Sequence, residues 1–358
     1  MRLPSLVRRT SSFFLLGCVF AYAADAQQTL SENRLRQIAL IQLPGQPGFD
    51  HVAYANGNVV ISHAGAKSVD VFNPQKRRLV AQIQGVNDPR GIAVDEESKS
   101  VFIADAANKS VAVVSSEDWQ IKKLLALPAP PQEIIYVPGE AALYVSALNN
   151  AHLMYVPIAG GEVANIDVGG RIGGLAFDPA GHRIFASLNN QDELAMLPAA
   201  RAQSKVAERW HLSASQPTGL AFDPEMGRLF VAVRYAVVSL NASTGQEISR
   251  VPTAAGTDTL QYDPRTQLIY AGSTNGTIST IGAAKGTLVA ENEVQTDVKG
   301  HNFAVDPQNH CVYLPGGREG KSKLVILKPF TMHPESDGDD QDATGTSSQT
   351  SPQNIPKR

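Results

Sequence analysis

The chain has 358 residues, 43% of them hydrophobic and 18% charged, and a formal net charge of −3. That apolar content is more than one compact core of ordinary size takes up, so two domains or a repeat architecture is expected. The charge excludes a strongly basic nucleic-acid binder, and two cysteines exclude a disulfide scaffold or a Cys-rich metal fold.

The first segment reads as an export signal. Arg2, Arg8 and Arg9 precede an apolar run, Phe13–Ala24, that is too short to span a bilayer comfortably. Ala24-Asp25-Ala26 then supplies the small-x-small pattern of a signal-peptidase site, with cleavage before Gln27. Residues 1–26 are therefore assigned to the signal and 27–35 to a lead-in, with a periplasmic or secreted destination and no transmembrane span. Leu15-Leu16-Gly17-Cys18 resembles a lipoprotein box, but Leu16 is bulky where a small residue is usual, so a lipid anchor on Cys18 is disfavoured. Arg8-Arg9 is a weak match to a twin-arginine signal.

Residues 36–330 repeat. Gly91-Ile92-Ala93-Val94-Asp95 returns as Gly174-Leu175-Ala176-Phe177-Asp178-Pro179 and as Gly219-Leu220-Ala221-Phe222-Asp223-Pro224. It returns again as Leu260-Gln261-Tyr262-Asp263-Pro264 and Phe303-Ala304-Val305-Asp306-Pro307, with weaker copies at Val52–Ala55 and Ile134–Pro138. The Asp-equivalent positions 55, 95, 137, 178, 223, 263 and 306 are 40–45 residues apart, a period of propellers and solenoids. Each unit holds four short β-branched runs split by Gly, Pro, Asn and Asp; in the second unit these are Gly91–Val94, Val101–Ile103, Val111–Val114 and Ile121–Leu127. The runs are apolar throughout, as strands packed on both faces would be. The fold class predicted is all-β, a seven-bladed propeller of four-stranded blades.

The seventh unit has only three runs, Phe303–Val305, Cys311–Leu314 and Lys323–Leu327. An orphan run, Gln37–Pro44, stands before the first unit and resembles a fourth strand. The N-terminal strand is therefore expected to complete the last blade and remove the open edges. Residues 331–358 are polar and acidic, with too little apolar surface to offset ordering entropy, and are read as disordered. Removing both ends leaves a body of net charge −2.

Val101-Phe102-Ile103-Ala104-Asp105 followed by Val111–Val114 resembles the YVTN (YncE-like) bacterial repeat, as do Leu143-Tyr144-Val145-Ser146 and Ser68–Phe72. The Thr and Asn that name the repeat are mostly replaced here, and the Trp-Asp signature of the WD type is absent. The resemblance spans residues 36–330 and implies an exported seven-bladed propeller. It implies little about activity, since relatives include binding proteins, lactonases and redox subunits.

In such a ring the turns leading into the innermost strands converge on one mouth of the channel. They carry Asp50-His51, Asp88-Pro89-Arg90, Gln132-Glu133, Arg171, Gln216, Asp258 and Lys299-Gly300-His301-Asn302. Asp50, His51, Arg90, Glu133, Arg171, Asp258 and His301 are the candidate ligand-binding residues. Asp50, His51, Asp258 and His301 are the candidates for a divalent metal, without the close spacing of a known ligand motif. No cofactor is predicted. The loops between second and third strands share that face; among their residues Arg234 and His63 are within possible reach of a ligand, while the Asn residues serve turn geometry.

The recurrent Asp-Pro is a turn. Gly316–Ser322 resembles a Walker A loop, but Pro315 replaces its first Gly and no helix follows, so a hairpin is expected. Cys311 reads as buried, and His152, His182, His211, His310 and His333 as surface residues. The functional reading is an exported, monomeric binding protein that holds a small molecule or protein partner at the channel mouth. The alternative is a lactonase- or lyase-like enzyme with a general base, with or without a divalent metal, at the same place. Nucleic acid is disfavoured by the nearly neutral body.

Overall fold

The computed structural model describes residues 32–200, 205–284 and 286–332. Among them the chain forms seven four-stranded sheets, each strand paired with the next in sequence except at the point of closure. The innermost strands of successive blades touch in a closed circuit, the last returning to the first. The only helical pieces among the described residues are two 3-10 turns, Ala64–Ala66 and Pro138–Glu140. The expected seven-bladed propeller is therefore what the chain forms.

The apolar runs follow from where each strand sits. Second strands such as Ala142–Ala147 and Leu268–Ser273 are buried along their whole length, because neighbouring blades cover both faces. Outermost strands such as Ile121–Ala126 are mostly exposed. The core is a circle of clusters, each shared between adjacent blades. Phe102 and Val111 of blade 2, for instance, pack with Leu143, Val145 and Met154 of blade 3.

Closure is as the missing fourth strand of the seventh blade implied. The strand Glu32–Gln42 pairs antiparallel with Lys321–Met332 and stands outermost in the last blade. It begins ahead of residue 36, and its partner runs past residue 330, because the two continue one ladder from Glu32↔Met332 to Gln42↔Lys323. A bulge between Gln37 and Ala39 reverses the alternation of faces, so that Leu35 and Leu40 enter the same cluster. The proposed signal, Cys18, the residues before Glu32 and the acidic tail beyond Met332, with His333, lie outside the described residues.

The repeated motif is explained residue by residue. Asp178, Asp223, Asp263 and Asp306 each accept a backbone N–H from two or three residues further on, as turn residues do. Three of the aspartates at this position also face a tyrosine of the adjacent blade: Asp95 faces Tyr136, Asp223 faces Tyr262, and Asp306 faces Tyr54 across the closure. The motif glycine serves a close approach. A Cβ on Gly91 or Gly174 would stand 2.6 Å from the carbonyl oxygen of Gln132 or Thr218 in the next blade. Gly316–Ser322 is a hairpin, with Arg318 opposite Lys321 and Glu319-Gly320 at positive φ in a two-residue turn.

Two histidines read as accessible are not. His63 is fully buried, with Nδ1 on Asp70 at 2.8 Å and Nε2 on the Gln46 carbonyl at 2.8 Å. Ser322 Oγ lies 3.3 Å from that Nε2, and Phe49 stacks on the ring at 4.2 Å. This network ties blade 1 to the closing strands, and His63 reaches no ligand. His310 is drawn from its turn by Asp263 of the preceding blade and is only 23% exposed. His182 and His211 are exposed, and His152 is half-buried. Cys311 is buried, and burial pushes its thiol pKa up.

Candidate functional site at the channel mouth

The turns before the innermost strands and the loops between second and third strands do share one face. Asp105 shows it, accepting the N–H groups of Asn87 and Asp88. A cavity of about 430 Å³ lies there on the channel axis. It is lined by Asp50, His51, Glu133, Arg171, Asp258 and His301, six of the seven sequence candidates. Arg90 stands behind them, bonded to Asp50. Gln216 and Arg234 do not line it; Arg234 is exposed and stacks on Tyr235.

Registering the repeats on their aspartate position explains the composition of the ring. Five residues before it stand Asp50, Arg90, Gln132, Gly173, Thr218, Asp258 and His301; four before it stand His51, Gly91, Glu133, Gly174, Gly219, Thr259 and Asn302. Adjacent positions of a strand normally point to opposite faces. Here the ladder between innermost and second strands slips at this point in four blades, between Pro89/Ile92, Pro131/Ile134, Ile172/Gly174 and Thr257/Thr259. Such bulges re-aim side chains, and both positions supply residues to the cavity.

The charges form two groups. In the first, Arg90 donates to Asp88 at 2.9 Å and to Asp50 at 3.2 Å, and His51 bridges Asp50 and Glu133. His51 Nδ1 is 2.5 Å from Asp50 and Nε2 is 2.8 Å from Glu133, so the link reaches from blade 1 past blade 2 to blade 3. In the second group, His301 Nε2 is 3.0 Å from Asp258.

Electrostatics follow from this geometry. Burial opposes charge on the His51 ring, but the Glu133 charge and the hydrogen bonds to Asp50 and Glu133 outweigh it and raise the pKa well above 6.5. Burial likewise raises the Asp50 carboxyl, and its bond to His51 and the Arg90 charge outweigh that and lower it. A carboxylate on each nitrogen favours His51 as an imidazolium that donates both protons. In that form it has no lone pair for a metal and no free nitrogen to act as a general base. The four metal candidates divide between the two groups, and among the described residues no cluster of three or more His, Cys, Asp or Glu side chains is placed to hold a metal ion. As placed, these residues do not fit a divalent cation.

A stability prediction follows. A histidine whose folded pKa is raised contributes stability that is fully present below its unfolded value and is lost as pH rises through the folded one. Glu133→Gln is expected to lower stability by about 1.5–3 kcal/mol near pH 6, the range for a hydrogen bond to a charged group. The gap to wild type should narrow as pH is raised to about 9. Urea midpoints of both proteins across that range check it; a gap that stays constant or widens would contradict the charged bridge.

No family model matches the chain, and no curated protein matches it. Solved structures do share the fold. A chain in the crystal structure of a mitotic checkpoint complex is 13% identical, with a TM-score of 0.69 over 89% of this chain and 99% of that one. The β-propeller domain of Cps50 (Swd1) from Myceliophteria thermophila is 11% identical, with a TM-score of 0.68 over 82% of this chain and 99% of that one. Streptogramin B lyase is 12% identical, with a TM-score of 0.66 over 84% of this chain and 98% of that one. At these identities the likeness is one of fold, and the class of protein it defines is the β-propeller.

Proposed function

We propose that this chain is an exported propeller of the YVTN (YncE-like) kind, monomeric, that binds a small polar ligand in the channel mouth. The observation that carries the reading is the bridge Asp50–His51–Glu133 beside a cavity of about 430 Å³, a size typical of small-molecule sites. Three blades contribute to one charge network there, which is costlier than a solvated rim of separate side chains requires. The destination rests on residues 1–26, and the family on the repeats quoted above. Among the described residues no helix is long and apolar enough to cross a membrane.

The lactonase- or lyase-like alternative would have to work through His301, because Asp258 faces only its Nε2. A histidine oriented by a carboxylate on one nitrogen is a general-base arrangement. One experiment addresses both readings. The purified protein is screened by thermal shift against metabolite-sized neutral, anionic and cationic compounds, and against Ca²⁺, Mg²⁺, Mn²⁺ and Zn²⁺ with chelator controls. Every compound that shifts Tm is then checked by mass spectrometry for conversion. A ligand at 100 times its Kd adds about 2.7 kcal/mol, several degrees for a domain of ordinary size. The proposal expects saturable shifts from particular compounds, lost in His51→Gln, and none from the metals. A flat screen would leave the mouth a polar rim and turn attention to a protein partner on the broad face. Turnover lost in His301→Gln would establish the enzyme instead.

A further inference from the structure

The charges of the mouth do not all cancel within the protein. Asp50 and Glu133 meet His51, Arg90 bridges Asp50 and Asp88, and Asp258 faces His301. Arg171 is left over: it lines the cavity, and among the described residues no carboxylate pairs with it. The arginine is nonetheless held in place. Its Nε donates to Asn189 Oδ1 at 2.8 Å, and its backbone N–H donates to Asn190 Oδ1 at 2.7 Å. Anchoring through Nε leaves the two terminal amino groups as donors without an acceptor among the described residues. Blade 4 carries Gly173 and Gly174 at its two mouth positions, so it adds no further charged side chain there. The local turn is tight around this residue, since a Cβ on Gly170 would stand 3.1 Å from both Gln191 and Leu188.

A guanidinium with its fork open is the side chain best shaped for bidentate binding of a planar anion. We propose that Arg171 anchors the mouth ligand and that this ligand is a small carboxylic acid. The inference rests on the reading of the mouth as a ligand site and adds the ligand's chemical class. A singly charged carboxylate matches Arg171, the one cation without a carboxylate partner among the described residues that line the cavity. A phosphate dianion would bring excess negative charge to a cavity already lined by Asp50, Glu133 and Asp258. The Asn189 and Asn190 residues, which serve turn geometry in the repeat, here orient the arginine as well.

The test uses acetate, succinate and benzoate as probes, with acetamide, succinamide, benzamide and inorganic phosphate as controls. Binding is read from the arginine Nε–H signals in NMR spectra of the full chain, assigned by comparison with Arg171→Gln. The acids are expected to shift the Arg171 signal saturably while their amides do not. Arg171→Gln should weaken acid binding by at least about tenfold, and Arg171→Lys should recover part of it, since lysine restores the charge but not the fork. Arg171 is exposed, so these variants keep the fold. Amides that bind as well as acids, or an Arg171→Gln protein that binds acids unchanged, would overturn the anion anchor while leaving the mouth a ligand site. Tighter binding of phosphate would overturn the carboxylate class. Silence from every probe would overturn the inference, and the broader compound screen then decides separately whether the mouth binds anything.

Discussion

A chain that starts at residue 44 should not form the ring. The deleted strand pairs with Lys323–Met332, and without it the last blade ends in an unpaired edge. Leu35 is 4% exposed and Leu43 1% exposed in the intact protein. Leu35 and Leu40 fill the cluster of Tyr270, Phe303 and Val325; Ala39, Ile41 and Leu43 fill that of Phe72 and Tyr313. Each buried leucine or isoleucine is worth about 1.5–3 kcal/mol. The ladder hydrogen bonds add about 1 kcal/mol each. Together these losses are comparable to the whole stability of a typical domain, about 5–15 kcal/mol. The deletion also frees the segment through Gly45 and Gln46, whose carbonyls hold Ser322 and His63. The expected result is loss of the cooperative thermal transition, read by circular dichroism. A truncated chain melting cooperatively at the wild-type temperature would mean that the ring closes without this strand.

Asp223→Ala is expected to be the most damaging single substitution in the repeated motif. The Arg228 side chain is 3% exposed and that of Asp223 is fully buried, with Nη2 and Nε of the arginine 2.8 and 3.2 Å from the same oxygen. The other carboxylate oxygen accepts the N–H of Glu225 at 3.1 Å, and Tyr262 of the next blade faces the same side chain. Removing one member of a buried pair leaves an uncompensated charge and costs about 3–5 kcal/mol. Asp178→Ala provides the comparison. Its partner Arg183 is 22% exposed and can turn to water, so the loss should be smaller. Replacing both partners, Asp223→Ala with Arg228→Met, should restore much of the difference, because an apolar pair leaves no charge stranded. Denaturant midpoints of the three proteins decide the matter. An Asp223→Ala protein within about 1 kcal/mol of wild type would show that Arg228 finds another partner.

Blade number and closure were readable because five of the seven innermost strands end in the same aspartate turn, at a spacing that the weaker copies in blades 1 and 3 share. The aspartate, the glycine before it and the apolar pairs between recur at one spacing, and each has a structural cause that repeats. The orphan run Gln37–Pro44 could be placed because a ring with three strands in its last blade leaves one place empty. That Asp50, His51, Glu133, Arg171, Asp258 and His301 come together at one mouth was also legible, since the turns before the innermost strands meet there, although Arg90 and Gln216 of the same turns do not line the cavity.

What joins to what at that mouth was not legible. His51 meets Glu133, which lies two blades on, and the spacing of neither residue signals the other. Four innermost strands carry a bulge at this height, which breaks the alternation that would assign their neighbouring side chains to faces. Setting the seven repeats in register on their aspartate would have found Arg90, Asp258 and His301 at one position and His51 and Glu133 at the next. His63 departs from expectation for a different reason. A polar residue at the end of a strand looks in sequence like a loop residue, whereas Asp70 on the adjoining strand holds it inside. For His310 the partner, Asp263, comes from the preceding blade, beyond what local sequence shows.

The mouth is built around a histidine set between two carboxylates from different blades. The direct measurement is the pH titration of the His51 ring by NMR in the native protein, with Glu133→Gln beside it. Both ring nitrogens of His51 are expected to carry protons at neutral pH, with a titration midpoint well above 6.5 that falls when Glu133 is replaced. A midpoint at or below 6.5, or one indifferent to Glu133, would mean that the bridge across the channel does not exist.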